Sequence, residues 1–299
     1  MTLAAVTELQ PTQDVILAGP KELIEGPTGT GKTYAMGTMV DWAQANGKEV
    51  FILFLEQSLE TLLGYWRDTD PNDPRRKEPR PIPACLHWHV QPNAPLSFQT
   101  LMAGADNVGR LSYEQLTKLI DSSRAGANNA FWHVLATCTD FPDDRTGKKF
   151  GAIDKWGTDR IFGLDSLTEL AVAAEKMTIG NKPMMAQNEY LVAQNNLMNF
   201  LRKLVSCQCT VMMTAHVRRQ TDFLSGVMKV MTRALGTAIA DDIPPLFSDV
   251  IYAVREGTNF YWETALSSVD TKARNLPIAS KIPADFAQVM DKWKARGGR

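Results

Sequence analysis

Gly26-Pro27-Thr28-Gly29-Thr30-Gly31-Lys32-Thr33 is the stretch whose reading decides the fold. It matches G-x-x-x-x-G-K-[ST] in full, and its surroundings suit the match. A short strand candidate, Leu23-Ile24-Glu25, precedes it, and a helix of about four turns follows from Lys32 to Asn46, with Gly47 as C-cap. Glycines let backbone N–H groups curl around phosphates, and the helix N-terminus adds donors and a favourable dipole. In this arrangement Lys32 reaches the β- and γ-phosphates and the Thr33 hydroxyl ligates Mg²⁺, so ATP and Mg²⁺ are the expected cofactors.

A phosphate loop needs a second strand ending in a carboxylate that holds the metal. Ile161-Phe162-Gly163-Leu164-Asp165 is an apolar run ending in an acid, so Asp165 is the expected metal carboxylate. It could instead cap the helix that starts at Ser166-Leu167-Thr168-Glu169. Ser166 stands directly after it, where many motor ATPases carry a catalytic Glu, so a water-activating carboxylate has to come from elsewhere. Glu56 is the first choice: it ends the strand Phe51-Ile52-Leu53-Phe54-Leu55, where a parallel sheet would present it beside the γ-phosphate. Glu169 is the weaker substitute.

Outward from these motifs, strand candidates at 49–55, 86–90, 160–164 and 210–214 alternate with helical patterns, the longest from Met185 to Val205. Three further strand candidates, 250–254, 258–265 and 267–271, precede a tail helix at 284–294. The expectation is an α/β fold with a mostly parallel sheet and a C-terminal antiparallel extension. No linker divides the chain, so residues 1–299 read as a single domain with an insertion at about 95–159 (helical over 95–138, including 113–122) and a short tail at about 284–299. Residues 67–84 are a Pro-rich, mixed-charge loop, and 217–245 read as irregular and basic at first.

The motifs together resemble a RecA-type ATPase core over roughly residues 20–275, and among such cores the phage RecA-like ATPases associated with single-strand annealing and recombination. The resemblance rests on the phosphate loop, the strand ending in Glu56, Asp165-Ser166-Leu167-Thr168-Glu169-Leu170, Thr214-Ala215-His216 and Thr271-Lys272-Ala273-Arg274. It implies a γ-phosphate sensor at His216, which otherwise reads as a strand-end histidine. It implies that a mobile DNA-binding loop follows, carrying Arg218, Arg219, Lys229 and Arg233 against Asp222. A second DNA-facing loop would fall at 174–187 with Lys176 and Lys182. It implies a homo-oligomer with nucleotide at subunit interfaces, where Lys272 and Arg274 act in trans on the neighbour's γ-phosphate. The implied activity is DNA-stimulated ATP hydrolysis on single-stranded DNA in phage recombination, annealing or replication, with single-strand-binding or other recombination proteins as further partners. A hexameric helicase-type motor and a nucleotide-gated assembly or packaging factor are the alternatives.

Composition bounds the rest. The 299 residues are 44% hydrophobic and 22% charged, with 32 basic against 33 acidic side chains, so the chain is globular and any nucleic-acid affinity must be local. The longest apolar run, Val50 to Leu55, is far below the roughly 20 residues of a membrane helix. Met1 to Val6 shows no basic segment followed by an apolar one, and four cysteines make no disulfide scaffold, so a cytoplasmic setting without membrane contact is expected. Cys85-x-His87-x-His89 would share one strand face, but it lacks the tight cysteine knuckle of zinc sites. The seven tryptophans are scattered, as core residues would be.

Overall fold

Runs such as Val50-Phe51-Ile52-Leu53-Phe54 and Val211-Met212-Met213 can stay apolar throughout only where a sheet is covered on both faces. The computed structural model has this architecture. It describes residues 16–70, 73, 76–91, 102, 106, 109–112, 114–115, 130–179, 186–221, 228–236, 238–266 and 269–299. In chain order the elements are β1 (Lys21–Glu25), α1 (Lys32–Ala45), β2 (Glu49–Phe54), α2 (Leu59–Arg67), β3 (Leu86–Val90) and α3 (Ala130–Thr139). There follow β4 (Arg160–Asp165), α4 (Leu167–Ile179), α5 (Gln187–Val205), β5 (Thr210–Ala215), β6 (Val217–Thr221) and β7 (Met228–Thr232). The chain ends with α6 (Ala238–Asp242), β8 (Asp249–Glu256), β9 (Asn259–Glu263), β10 (Ile282–Pro283) and α7 (Ala287–Ala295).

The main sheet has the order β10-β9-β8-β1-β5-β4-β2-β3. Its strands from β8 to β3 are parallel, and β9 and β10 add the antiparallel extension. This is the α/β architecture expected from the motifs, a mostly parallel sheet with a C-terminal antiparallel extension. Alternation along each strand feeds two cores. Leu23, Phe51, Leu53, Phe162, Leu164, Val211 and Met213 face α3, α4 and α5. Ile24, Val50, Ile52, Phe54, Ile161 and Met212 face α1, α2 and α7. Helix α1 approaches α2 closely because Gly37 has no side chain: a Cβ there would come within 2.3 Å of the Tyr65 ring.

Register sets the strand ends level with one another. Phe54 pairs with Asp165, Leu164 with Met213, and Glu25 with Ala215. The residues that follow β1, β2 and β5, together with the last residue of β4, therefore gather along one edge of the sheet, where α/β folds place their ligands.

Several expectations need correction. Within 217–245, residues 217–221 and 228–232 are not irregular: they are β6 and β7, paired antiparallel with Val217 opposite Thr232. The apolar alternation that marks a strand is missing from Val-Arg-Arg-Gln-Thr because its outer residues are exposed. The third terminal strand candidate, 267–271, forms no strand over its described residues 269–271. Its described residues make isolated bridges, Val269 to Val230 and, just beyond it, Lys272 to Val250. The helix expected at 113–122 falls almost wholly outside the described residues, as do Lys182 and Asp222.

Candidate active site

Asp165 is the centre of the gathered edge. Its side chain is buried at the end of β4 and accepts hydrogen bonds from three hydroxyls: Thr33 at 3.1 Å, Ser58 at 2.6 Å, and Thr214. Each donor comes from a different element: Thr33 from the first turn of α1, Ser58 from the N-cap of α2, and Thr214 from β5. Burial pushes the Asp165 carboxyl above its ordinary range, and the Ser58 and Thr214 hydroxyls work against that shift. The sequence pattern does not single out Ser58 or Thr214. The usable signal was a hydroxyl residue at or just past an apolar strand end.

The phosphate loop has the backbone its glycines allow. Gly29 and Gly31 sit at φ 77° and 81°, the left-handed region, and turn the loop into the helix. Lys32 Nζ donates to the carbonyls of Gly26 at 2.9 Å and Pro27 at 2.8 Å. Burial pushes the Lys32 ammonium below its ordinary value, while Asp165 and Glu56 pull it back up.

Glu56, two residues past β2, accepts from the Ser166 hydroxyl, and its Oε1 lies 3.5 Å from His216 Nε2. The hydrogen bond from His216 holds the Glu56 carboxyl below its ordinary range despite partial burial, with Ser166 and Lys32 helping. His216 is in turn fixed by its backbone: its N–H donates to Thr168 Oγ1 at 2.9 Å, and its carbonyl accepts from the Arg233 N–H at 2.8 Å. The structure thus brings Lys32, Thr33, Glu56, Asp165 and His216 to one place. Glu169 stands apart from Lys32 and Thr33, with its N–H 3.4 Å from Ser166 Oγ.

Two clefts open here. One, of about 700 Å³, runs from Lys32, Thr33 and Asp165 past Gly31 toward Tyr65 and Arg76. The other, of about 870 Å³, is bordered by Glu169, Arg219 and Arg233. Glu56 and His216 line both.

The basic hairpin divides in two. Arg219 and Arg233 are exposed and line the second cleft. Arg218 instead donates to the Gly236 carbonyl at 2.7 Å, and Lys229 is paired with Asp241 at 2.9 Å and Asp270 at 3.3 Å. Thr232, at the hairpin's foot, donates to Glu25 at 2.6 Å, one residue before the phosphate loop. Burial pushes that Glu25 carboxyl up to about 7.

Lys272 and Arg274 line neither cleft. Lys272 Nζ donates to the carbonyls of Phe247 at 2.6 Å and Pro245 at 3.2 Å, and Arg274 is exposed. Lys176 is exposed in the last turn of α4. The histidines of β3 hold the turn that follows α3: His87 Nδ1 lies 3.0 Å from Asp143, and His89 Nδ1 lies 2.8 Å from Asp144. Cys85 Sγ lies 4.0 Å from the Val40 carbonyl. Of the tryptophans, Trp42, Trp66, Trp156, Trp262 and Trp293 are buried, while Trp132 is 58% exposed.

No protein family matches the chain, and no curated protein does. Among solved structures, the chain is similar to the assembled ATPase EscN in complex with its central stalk EscO, from the type III secretion system of enteropathogenic E. coli. The similarity has 12% identity and a TM-score of 0.40, and covers 94% of this chain and 52% of the other. The chain spans about half the length of that protein. Among the described residues, no helix is long and apolar enough to cross a membrane.

Proposed function

We propose that the chain is a magnesium-dependent ATPase that acts on single-stranded DNA, in phage recombination, annealing or replication, as a homo-oligomer with nucleotide between subunits. The observation that carries the nucleotide part is the convergence of Thr33, Ser58 and Thr214 on the buried Asp165, beside Lys32 and the Glu56–His216 pair. An acid ringed by hydroxyls at the mouth of a phosphate loop is the donor set that suits Mg²⁺. Thr33 and Asp165 would hold the ion, which when bound would supply neutralisation of phosphate charge.

The chain's own side chains do the rest. Lys32 exchanges its carbonyl partners for phosphate oxygens. Glu56, kept ionised by His216 and Ser166, orients the attacking water and accepts its proton. His216 positions that carboxylate, and its main chain leads into the hairpin, so the site and the second cleft share a wall. On this reading Arg219 and Arg233 meet the DNA backbone, while Arg218 and Lys229 shape the hairpin. The trans role falls to the exposed Arg274 and to Lys272, whose ammonium rests on two carbonyls as that of Lys32 does.

The test is phosphate release from Mg-ATP by the wild type and Lys32→Ala, with and without single-stranded DNA across a salt series. Turnover should vanish in Lys32→Ala. Single-stranded DNA should raise wild-type turnover, and Arg219→Ala with Arg233→Ala should lower the salt slope of DNA binding by about 0.7 for each phosphate no longer neutralised. Normal turnover in Lys32→Ala overturns the ATPase reading. Indifference to DNA supports the assembly factor instead, and strand unwinding supports the helicase-type motor.

A further inference from the structure

The first cleft continues beyond the phosphate loop, along a row in which guanidinium groups and aromatic rings interleave. Arg255 lies over its cross-strand partner Phe260, 5.8 Å from the ring centroid. Phe260 is 5.3 Å from Tyr34. Arg76 lies over Tyr34 at 5.2 Å and over Tyr65 at 5.8 Å. All five residues line the cleft that holds Lys32 and Thr33.

The row is built onto rigid parts. Phe260 presses so closely on the phosphate loop that a Cβ at Gly31 would come within 2.6 Å of its ring. Arg76 Nε donates to the Tyr65 carbonyl at 3.1 Å and Nη1 to Asp70 at 3.3 Å. Arg80 pairs with Asp41 of α1 at 3.0 Å. These bonds fix Arg76 and Arg80, in the Pro-rich stretch after α2 for which the motifs supply no role, and Arg76 closes the cleft on that side.

Chemistry distinguishes the two ends of this cleft. The Asp165–Glu56 end suits a metal and a reacting phosphate. The far end offers planar, polarisable surfaces with positive charge interleaved among them. Flat π-systems bind such surfaces by stacking and cation–π contact, with little demand on hydrogen-bond pattern. We infer that this row is the nucleoside subsite, and that Arg76 and Arg255 position the base and ribose of the nucleotide. This inference rests on the nucleotide-binding reading above.

The experiment compares two ligands that share a diphosphate, Mg-ADP and Mg-pyrophosphate, by calorimetric titration of the full chain. Wild type should bind ADP at least about tenfold more tightly than pyrophosphate, and Arg76→Lys and Arg255→Ala should each lose about tenfold for ADP with pyrophosphate unchanged. Arg76→Lys keeps the charge and loses the planar stacking group. Arg255 is exposed, so Arg255→Ala keeps the question open to test if the first variant melts early. Equal loss for both ligands would mean that the arginines hold phosphate, and it overturns the inference. So does unchanged ADP affinity in the variants, or a wild type that binds both ligands alike. A wild type that binds neither ligand removes the nucleotide reading itself and the subsite with it.

Discussion

The two edges of the main sheet each bury a carboxyl group and accommodate it in different ways. At the C-terminal edge, Asp165 is 3% exposed and is ringed by hydroxyls from three elements, with Lys32 nearby. At the N-terminal edge, Glu22 is 0% exposed and pairs in register with Asp249. Asp249 there accepts from the Asn275 N–H at 2.6 Å and Nδ2 at 2.8 Å. Burial raises both acids above their ordinary range. For Asp165 the hydroxyls oppose the rise, whereas for Glu22 the neighbouring Asp249 adds to it and pushes the carboxyl well up. One edge supplies donors for a charge, and the other sets a second acid beside its buried acid and favours the proton there. The difference teaches where the chemistry is: a buried acid marks a site when its surroundings support its anion.

The sharpest way to break this contrast is Asp165→Asn. Mg-dependent phosphate release should fall by about 10²–10³ or more, because the substitution removes a preorganised charge and keeps the shape. The melting temperature at pH 8 should be no lower than that of wild type, since the three hydroxyls can rotate to serve an amide and a buried charge is gone. Retained turnover would return Asp165 to the status of a helix cap. Comparable in size is Glu56→Gln, expected to slow hydrolysis by about 10²–10⁴ while Mg-ATP still binds. Glu169→Gln should turn over nearly as wild type does, because Glu169 borders the second cleft rather than the one that holds Lys32. A dead Glu169→Gln beside a live Glu56→Gln would reverse the assignment.

How much of this was legible in the sequence follows from how local each signal is. The phosphate loop is eight consecutive residues, and β2, β4 and β5 are each built on a short apolar run, so their ends, and with them Glu56 and Asp165, could be read directly. The hydroxyls around Asp165 could not: Ser58 and Thr214 lie 107 and 49 residues from it in the chain. Only strand order and register bring them in. The hairpin of β6 and β7 escaped because most of one strand is exposed and carries no core-facing alternation. Segment 267–271 misled in the opposite way: Val269 is buried, yet among the segment's described residues it makes one isolated bridge rather than a ladder. The basic residues looked equivalent as a charge run. Packing separates them by exposure: Arg218 and Lys229 are bound to Gly236, Asp241 and Asp270, while Arg219, which reaches Tyr252, and Arg233 are exposed along the second cleft.

The smallest effect tests the other edge of the sheet. Glu22→Gln should leave hydrolysis unchanged, because Glu22 lies at the start of β1, away from the phosphate loop that follows its end. It should raise the melting temperature by a few degrees at pH 8 and by less at pH 5. The reason is linkage. Burial, with Asp249 beside it, lifts the folded-state pKa of Glu22 well above its ordinary 4.5. Below that ordinary value both folded and unfolded chains carry the proton, and the contribution of Glu22 to stability is fully present. As pH rises past it, the unfolded chain releases the proton and the folded chain keeps it, so stability falls until the folded pKa is reached. Gln carries no such proton, so the gain from the substitution should grow with pH across this window. Lys21 is the neighbouring cation, and its pull on Glu22 ranks below the effects of burial and Asp249. Melting curves of the two proteins between pH 5 and 8 that stay a constant distance apart would show that Glu22 is ionised in the folded chain, and the contrast between the two edges would be lost.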